Sequence, residues 1–559
     1  MPRAAFWTTI FTGAVLLVAS SCPVIADDWI RELQTKAVVQ GHADWGHWGI
    51  DPEKYTQWSS HSNRLIPVYT YGTKNAGTGV NLDSYTGANS PYRSEAELKR
   101  IYGRLPEKTL CATAEYLDQT NIFDIQMAGA AAGKKHIFLV IFDGMDWQTT
   151  RAAAIQATQQ VKYTEGRGTG LFWQDYTAGG TTQFGYMVTS AHNEGTDIDV
   201  NTQTVKNPGG KMFGGYDPLR AGFTPWDKPA SLAYLISKPA TEPAMHAYTD
   251  SSSSATSMTT GIKTFNGAVN VDYNGAPVET AAHRLQAQGW LVGAISSVPI
   301  SHATPASAYA HNVERDDYQD LTRDQLGLKS ISHPVTPLQG LDVLIGGGFG
   351  YVDLLKKPQG DNYVAGNVYL TTADQKAVDI ANGGKYVVAT REPGVPGAAS
   401  LQAAATKAAT ENHRLLGFYG NGKYSGHLPF TTADGDFKPA IGRSSKAEEY
   451  SPADLTENPT LAEMTKAGIT AIARPNQKFW LMVEAGDVDW GNHDDNLDTS
   501  IGAVKSGDAA IKVITDWVEQ HSNWDESLMI VTADHGHLLV LDKPEALITP
   551  AIPAATSDK

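Results

Sequence analysis

Cysteine is nearly absent from this chain: 559 residues contain two, Cys22 and Cys111. A disulfide framework is therefore excluded as the source of its stability, and any cross-links the fold has are metals. Basic runs are missing too, and Arg is nowhere interleaved with aromatics. With 44 Lys and Arg against 60 Asp and Glu, the formal charge is −16. That argues against nucleic acid and against an anionic membrane surface as partners. Beyond a short apolar stretch near the N-terminus, no segment is long and apolar enough for a transmembrane helix. There is no internal repeat, and low complexity is confined to Ser251 to Ser254.

What is present is enough apolar sequence for a large core, at 41% hydrophobic and 19% charged residues. One large α/β domain over 27–545 is favoured over two to four smaller ones, with a short tail at 546–559. Residues 1–26 carry Arg3, the apolar Ile10 to Val18, and Val24-Ile25-Ala26 before Asp27-Asp28. These are the three parts of a secretory signal, so export to the periplasm or the medium is expected. Ala19-Ser20-Ser21-Cys22 makes a poor lipoprotein site. Cleavage after Ala26 would leave Cys111 alone.

Helical patterns are expected at Ser94 to Gly103 and Asp118 to Ala132. From His136 to Gly261 and from Ala281 to Phe349, strand-like and helix-like runs alternate in the βαβ manner. Residues 160–245 and 355–450 are rich in Gly, Thr and Asn and read as insertions that carry loops over a sheet edge.

Several short hydrophobic runs break off at a residue able to bind a metal. Phe138 to Phe142 runs into Asp143, Phe479 to Val483 into Glu484, and Leu528 to Ala533 into Asp534 and His535. As buried parallel strands they would project these donors from one sheet edge, where open α/β folds bind ligands. Hard oxygen and imidazole donors of this kind suit Zn²⁺ with Mg²⁺ or Mn²⁺, and the pattern is that of a multi-metal hydrolase. Asp489 and His493, at i and i+4, would share one helix face and could grip one metal; on a surface the same spacing gives a plain hydrogen bond. Asp534-His535-Gly536-His537 is either a ligand run or a capped loop. The strand candidate Trp290 to Ile295 is followed by His302 and Thr304, which would reach the same edge. Arg315 offers a bidentate fork for phosphate, or is a solvated side chain. From Ser251 to Gly261, small residues closed by Gly read as a helix. Its N-terminal N–H groups would favour a serine alkoxide and a phosphoryl oxygen; the plainer role for Asp250 or Ser251 is an N-cap.

Together these segments resemble the alkaline phosphatase family. The run Thr249 to Asp272 (TDSSSSATSMTTGIKTFNGAVNVD) is similar to its nucleophile motif and implies Ser251 as the phosphorylated residue. By the same matching, Ile141-Phe142-Asp143-Gly144-Met145 implies Asp143 as the carboxylate bridging one zinc and the magnesium. His302 and Thr304 fall in the magnesium shell, Glu484 is the magnesium glutamate, Asp489 and His493 bind one zinc, and Asp534 and His535 bind the other. His537 matches a histidine that orients a zinc carboxylate. Arg315, oriented by Asp250, falls where the substrate phosphate is held, and Trp490 stands beside it where other members carry lysine or histidine. The resemblance implies a three-layer αβα sandwich with a large, mainly parallel central sheet, two Zn²⁺ and one Mg²⁺, phosphate monoesters as substrates and a phosphoserine intermediate. No membrane span is implied, and a homodimer is compatible with it. Other metal hydrolases of the superfamily, such as a phosphodiesterase or a cofactor-independent mutase, and an exported phosphate- or metal-binding protein are the rivals; no Cys-x-Pro-x-Arg or Ser-x-Pro-x-Arg is present for a sulfatase.

The family's last zinc histidine lies far downstream near the C-terminus, yet this sequence stops about twenty residues past His537. Gln57 to Gly72, with His61, resembles that missing segment, and Asp118 to Met127 resembles the family's last helix. The order is therefore expected to be circularly permuted, with 27–133 supplying the family's C-terminal part and His61 completing the zinc set. His42 and His47 are the fallback candidates.

Overall fold

The computed structural model describes residues 28–236, 246–352 and 359–550. The expected leader 1–26, with Cys22, and residues 551–559 of the expected tail lie outside these. The ten strands of the central sheet are, in chain order, β1 (Ile66–Tyr71), β2 (Leu117–Asp118), β3 (His136–Phe142), β4 (Gln183–Val188), β5 (Leu291–Pro299), β6 (Val343–Gly347), β7 (Tyr386–Thr390), β8 (Arg414–Phe418), β9 (Phe479–Ala485) and β10 (Ser527–Ala533). Across the sheet they run β7-β8-β6-β5-β9-β3-β10-β1-β4-β2. Every pair from β7 to β10 is parallel. Only β1 breaks the direction, antiparallel to both β10 and β4, while β2 lies parallel to β4.

The continuous apolar runs of β3, β9 and β10 follow from burial on both faces, which parallel strands covered by helices require. Neighbouring residues show the two faces. Phe479 packs edge-on against Trp517 of the helix Leu497–His521. Trp480, one residue on, points the other way and donates its indole N–H to Gln126 of the helix Asn121–Ala131, 2.7 Å away. On the first face also lie the helices Leu461–Ile472 and Gly397–Thr410; on the second lie Ser251–Thr260 and Ala303–Ser307. The architecture is a three-layer αβα sandwich around a mainly parallel sheet.

The two segments expected to be loop insertions are partly sheet. Residues 160–245 contribute β4, and residues 355–450 contribute β7, β8 and the helix Gly397–Thr410 between them. These strands are short, and strands of five or six residues among Gly- and Thr-rich sequence give little periodic signal. Helices at Glu95–Tyr102, capped by Ser94 and Gly103, and at Asn121–Ala131 match the expectation.

Residues 29–71 are stitched to residues 529–546. The indole of Trp29 donates to the carbonyl of Ala546 (2.8 Å), Gly46–Trp48 pairs with Leu539–Leu541, His61–Ser62 with Gly536–His537, and β1 with β10. No helix among the described residues is long and apolar enough to cross a membrane.

Candidate active site

The carboxyl ends of β3, β5, β9 and β10 meet at one edge, and each hands over to polar residues there. Asp143 follows β3 directly. Gly144 then turns at φ +74°, where an added Cβ would lie 3.0 Å from both the Asp489 Cα and the His537 ring. Glu484 is the penultimate residue of β9, and the helix Asp487–His493 follows with Asp489 and His493 one turn apart. Asp534 and His535 follow β10, before the two-residue pairing that sets His537 opposite His61. Ser251 is the first residue of the helix Ser251–Thr260, whose N-cap Asp250 accepts the N–H of Ser253 at 2.9 Å.

Two donor groups form around these residues. In the first, His61 Nε2 lies 3.2 Å from His493 Nε2 and 3.5 Å from Asp489 Oδ1, and His493 Nε2 lies 3.4 Å from Asp489 Oδ2. Backbone carbonyls fix both rings from behind: Thr249 receives His61 Nδ1 at 3.0 Å, and Ser59 receives His493 Nδ1. Such contacts leave each Nε2 bare, the tautomer a metal needs. His537 stands behind, its Nε2 2.8 Å from Asp489 Oδ1. In the second group, His535 Nε2 lies 3.1 Å from Ser251 Oγ, 3.3 Å from Asp143 Oδ1 and 3.4 Å from Asp534 Oδ2, while Ser251 Oγ is 3.4 Å from Asp143 Oδ1. The His61 and His535 rings stack at 3.6 Å and join the two groups.

Glu484 begins a third group. Its carboxylate accepts the hydroxyl of Ser296, and burial pushes its pKa up to about 8 against the hydroxyls of Ser296 and Thr304. Burial likewise pushes Asp534 up to about 7, and burial followed by the neighbouring Asp489, Asp534 and Glu484 lifts Asp143 well above the usual carboxylate range. Burial holds His535 neutral by lowering its pKa well below the ordinary value. Four buried carboxylates at one spot find no Lys or Arg among the ion pairs of the described residues; Asp143, Asp489 and Asp534 pair with histidines alone. Asp143 Oδ2, Glu484 Oε1 and Asp534 Oδ2 are buried without a hydrogen-bond partner. Uncompensated buried carboxylates are expensive, and divalent cations are the counter-charge this donor set fits.

The pocket above the cluster, about 390 Å³, is lined by Ser251, His61, His302, Arg315, Trp490 and His493. Arg315 donates to Asp250 Oδ2 at 2.9 Å. Burial opposes its charge, but the nearby Asp250 and Asp316 outweigh this and raise its pKa, so it stays cationic. Arg315 lines the same pocket as Ser251. The Trp490 ring meets those of His302 and His427 edge-on, at 5.5 and 5.0 Å. All fourteen residues singled out from the sequence thus lie at this edge, and the fallback histidines do not join them: His42 bonds Asp44 and His47 faces Asp542. Sequence reasoning missed Ser296, the carbonyls of Ser59 and Thr249, and Ser425, Arg443 and Asp494 at the pocket wall. A serine inside an apolar strand was the one legible signal for Ser296; carbonyls carry none.

Oxygen and imidazole donors gathered around one serine at the carboxyl edge of a parallel sheet define a metal-binding α/β protein. A family model described as alkaline phosphatase matches residues 230–547, more than half of the sequence, and the chain belongs to the alkaline phosphatase family. It is 30% identical over 309 residues to the alkaline phosphatase of Escherichia fergusonii, covering 53% of this chain and 60% of that protein. With alkaline phosphatase 4 of Bacillus subtilis the figures are 27% over 288 residues, 51% and 49%. With streptomycin-6-phosphate phosphatase of Streptomyces griseus they are 26% over 305 residues, 52% and 61%. The chain thus spans about half to three-fifths of the length of these curated relatives. Among solved structures, the cold-active alkaline phosphatase of Shewanella sp. aligns over 72% of this chain and 68% of its own, at 19% identity and a TM-score of 0.41. The Thermus thermophilus enzyme aligns over 72% and 60%, at 18% and 0.42. His61 and Asp143 lie outside the family match yet fold onto it.

Proposed function

We propose that the protein is an exported phosphomonoesterase that releases inorganic phosphate from phosphate monoesters through a phosphoserine on Ser251. The observation that carries this reading is the Ser251 hydroxyl at a helix N-terminus, 3.1 Å from His535 Nε2 and in one pocket with Arg315. Asp489, His493 and His61 would hold one zinc, and Asp143, Asp534 and His535 the other. Glu484, Thr304, His302 and Asp143 would hold magnesium. Bound there, these ions supply Lewis acidity and lower the pKa of a hydroxyl or water beside them. The Arg315 guanidinium, aimed by Asp250, takes two non-bridging phosphate oxygens in a fork. Ser251 Oγ, giving up its proton, attacks phosphorus in line; the Oγ–P bond forms, the bond to the alcohol breaks, and the alcohol leaves with a proton. Water then attacks the phosphoserine, the Oγ–P bond breaks, and phosphate and the free hydroxyl are restored. The N–H groups at the start of the Ser251–Thr260 helix stabilise negative charge at Oγ.

The reading includes a circularly permuted order, in which 27–133 is the family's C-terminal part and His61 its final zinc ligand. The pairing of β1 with β10 and of His61 with His537 supports it. The decisive experiment is Ser251→Ala with labelled phosphate and with a monoester, a diester and a sulfate ester as substrates. The wild type should turn over the monoester fastest and trap label at low pH, and the variant should do neither. Labelling of the variant at full yield, or faster diester turnover by the wild type, overturns the reading.

A further inference from the structure

We propose that His311, Asp324 and His333 form a second cation site, separate from the cluster around Ser251, that takes a zinc-type divalent ion. His311 lies in the loop after the helix Ala303–Ser307, four residues before Arg315. Asp324 sits on the helix Tyr318–Leu326, and His333 in the turn beyond it. One donor atom from each lies within 4.8 Å of the other two. His311 Nδ1 and His333 Nε2 are 2.9 Å apart, and His333 Nε2 is 3.8 Å from Asp324 Oδ2. Ligands bound about 2.0–2.1 Å from a tetrahedral zinc stand roughly 3.3 Å from one another; the two measured separations bracket that value.

Two of the three ligands are held from behind. His311 Nε2 meets the Val278 carbonyl at 3.0 Å, which fixes the tautomer with Nδ1 bare. Asp324 Oδ2 accepts the backbone N–H of His311 at 3.0 Å, and its Oδ1 accepts the Ser330 hydroxyl. His333 is the open side, with 18% of its side chain exposed, and gives an ion a way in. Two imidazoles and a carboxylate suit zinc and its neighbours rather than calcium or magnesium, which take oxygen. A hydrogen bond between the two imidazoles would account for the 2.9 Å contact, while Asp324 Oδ2, which already takes the His311 N–H, stands 3.8 Å from His333 Nε2, beyond hydrogen-bond reach. A cation uses all three. The bound ion would tie the loop that carries Arg315 to the helix Tyr318–Leu326.

The test is zinc content per chain after equilibrium dialysis of the full-length protein against zinc, in wild type and His333→Ala. The variant should hold about one zinc fewer, with monoester turnover within about twofold of wild type, as expected for a site that shares no residue with the Ser251 cluster. The same difference should persist in a Ser251→Ala background, so it is independent of the proposed reaction. Equal zinc content in the two proteins overturns the proposal. Should His333→Ala fold poorly, zinc-edge anomalous scattering from wild-type crystals decides: a peak between His311 Nδ1 and His333 Nε2 is expected, and peaks confined to the Ser251 cluster overturn it.

Discussion

His61 Nε2 lies 3.2 Å from His493 Nε2, although 432 positions separate the two residues in the chain. Each ring has its other nitrogen committed to a backbone carbonyl, so two lone pairs face each other beside the Asp489 carboxylate. A proton or a cation between them relieves that repulsion, and the carboxylate on the same spot favours the cation.

His61→Ala is therefore expected to lower zinc content by about one ion per chain and to cut turnover by roughly 10- to 100-fold or more, the scale of losing a metal's support. Metal analysis and monoester kinetics on the dialysed protein check both. Unchanged zinc and rate would remove His61 from the site and the permuted order with it.

Arg315→Ala should lower kcat/KM for a monoester by about 10- to 100-fold, the range of a charge-assisted hydrogen bond of about 1.5–3 kcal/mol. Inhibition by inorganic phosphate should weaken in parallel. Arg315→Lys should recover only part, because an ammonium restores the charge without the fork. Steady-state kinetics with phosphate as inhibitor reads both effects, and a Lys variant equal to wild type would contradict the bidentate grip.

At Gly144 a side chain meets two obstacles at once, a left-handed backbone and the 3.0 Å approach of Asp489 and His537. Gly144→Ala is expected to cost about 1–2 kcal/mol from the backbone alone and to loosen the zinc that Asp489 would hold. A thermal melt together with the rate of zinc loss to a chelator measures the two parts. Wild-type values for both would show that the turn yields more easily than its contacts imply.

Asp495 gives a pH prediction. Both its carboxyl oxygens are buried without a hydrogen-bond partner, and burial pushes its pKa up to about 9. In the unfolded chain the group ionises near about 3.9. A folded pKa above the unfolded one means stability that is fully present below about pH 4 and is lost as pH rises toward about 9, by at most about 1.36 kcal/mol per unit. Asp495→Asn removes that slope and suits the positive φ of 50° found there. Its melting temperature should exceed that of the wild type by a margin that grows from pH 5 to pH 8. A constant or shrinking margin would mean that Asp495 is ionised in the folded protein.

The parallel centre of the sheet was legible because burial on both faces forces β3, β9 and β10 into unbroken apolar runs, and each run ends at the residue it presents. Ser251 and Asp250 were legible because a helix start has its own chemistry. The strands Gln183–Val188, Tyr386–Thr390 and Arg414–Phe418 instead read as loops in the sequence. They lie toward the two sides of the sheet, are five or six residues long, and sit in Gly- and Thr-rich sequence whose pattern is weak. Arg443 and Ser425 went unseen because they reach the pocket from the same misread segment, and nothing local marks a surface arginine as belonging to a pocket. The set His311, Asp324 and His333 was invisible for another reason: their spacings of thirteen and nine fit no compact ligand motif, and only the folded loop brings them together.

The seam between β1 and β10 also sets a timetable for assembly. Residue 61 leaves the ribosome more than four hundred positions ahead of 493, with 535 and 537 later still. Contacts this distant in sequence are slow to form. Until β10 exists, β1 has an unpaired flank and the zinc set lacks Asp534 and His535. The donor set is therefore expected to close in one late step, when β10 slots between β3 and β1.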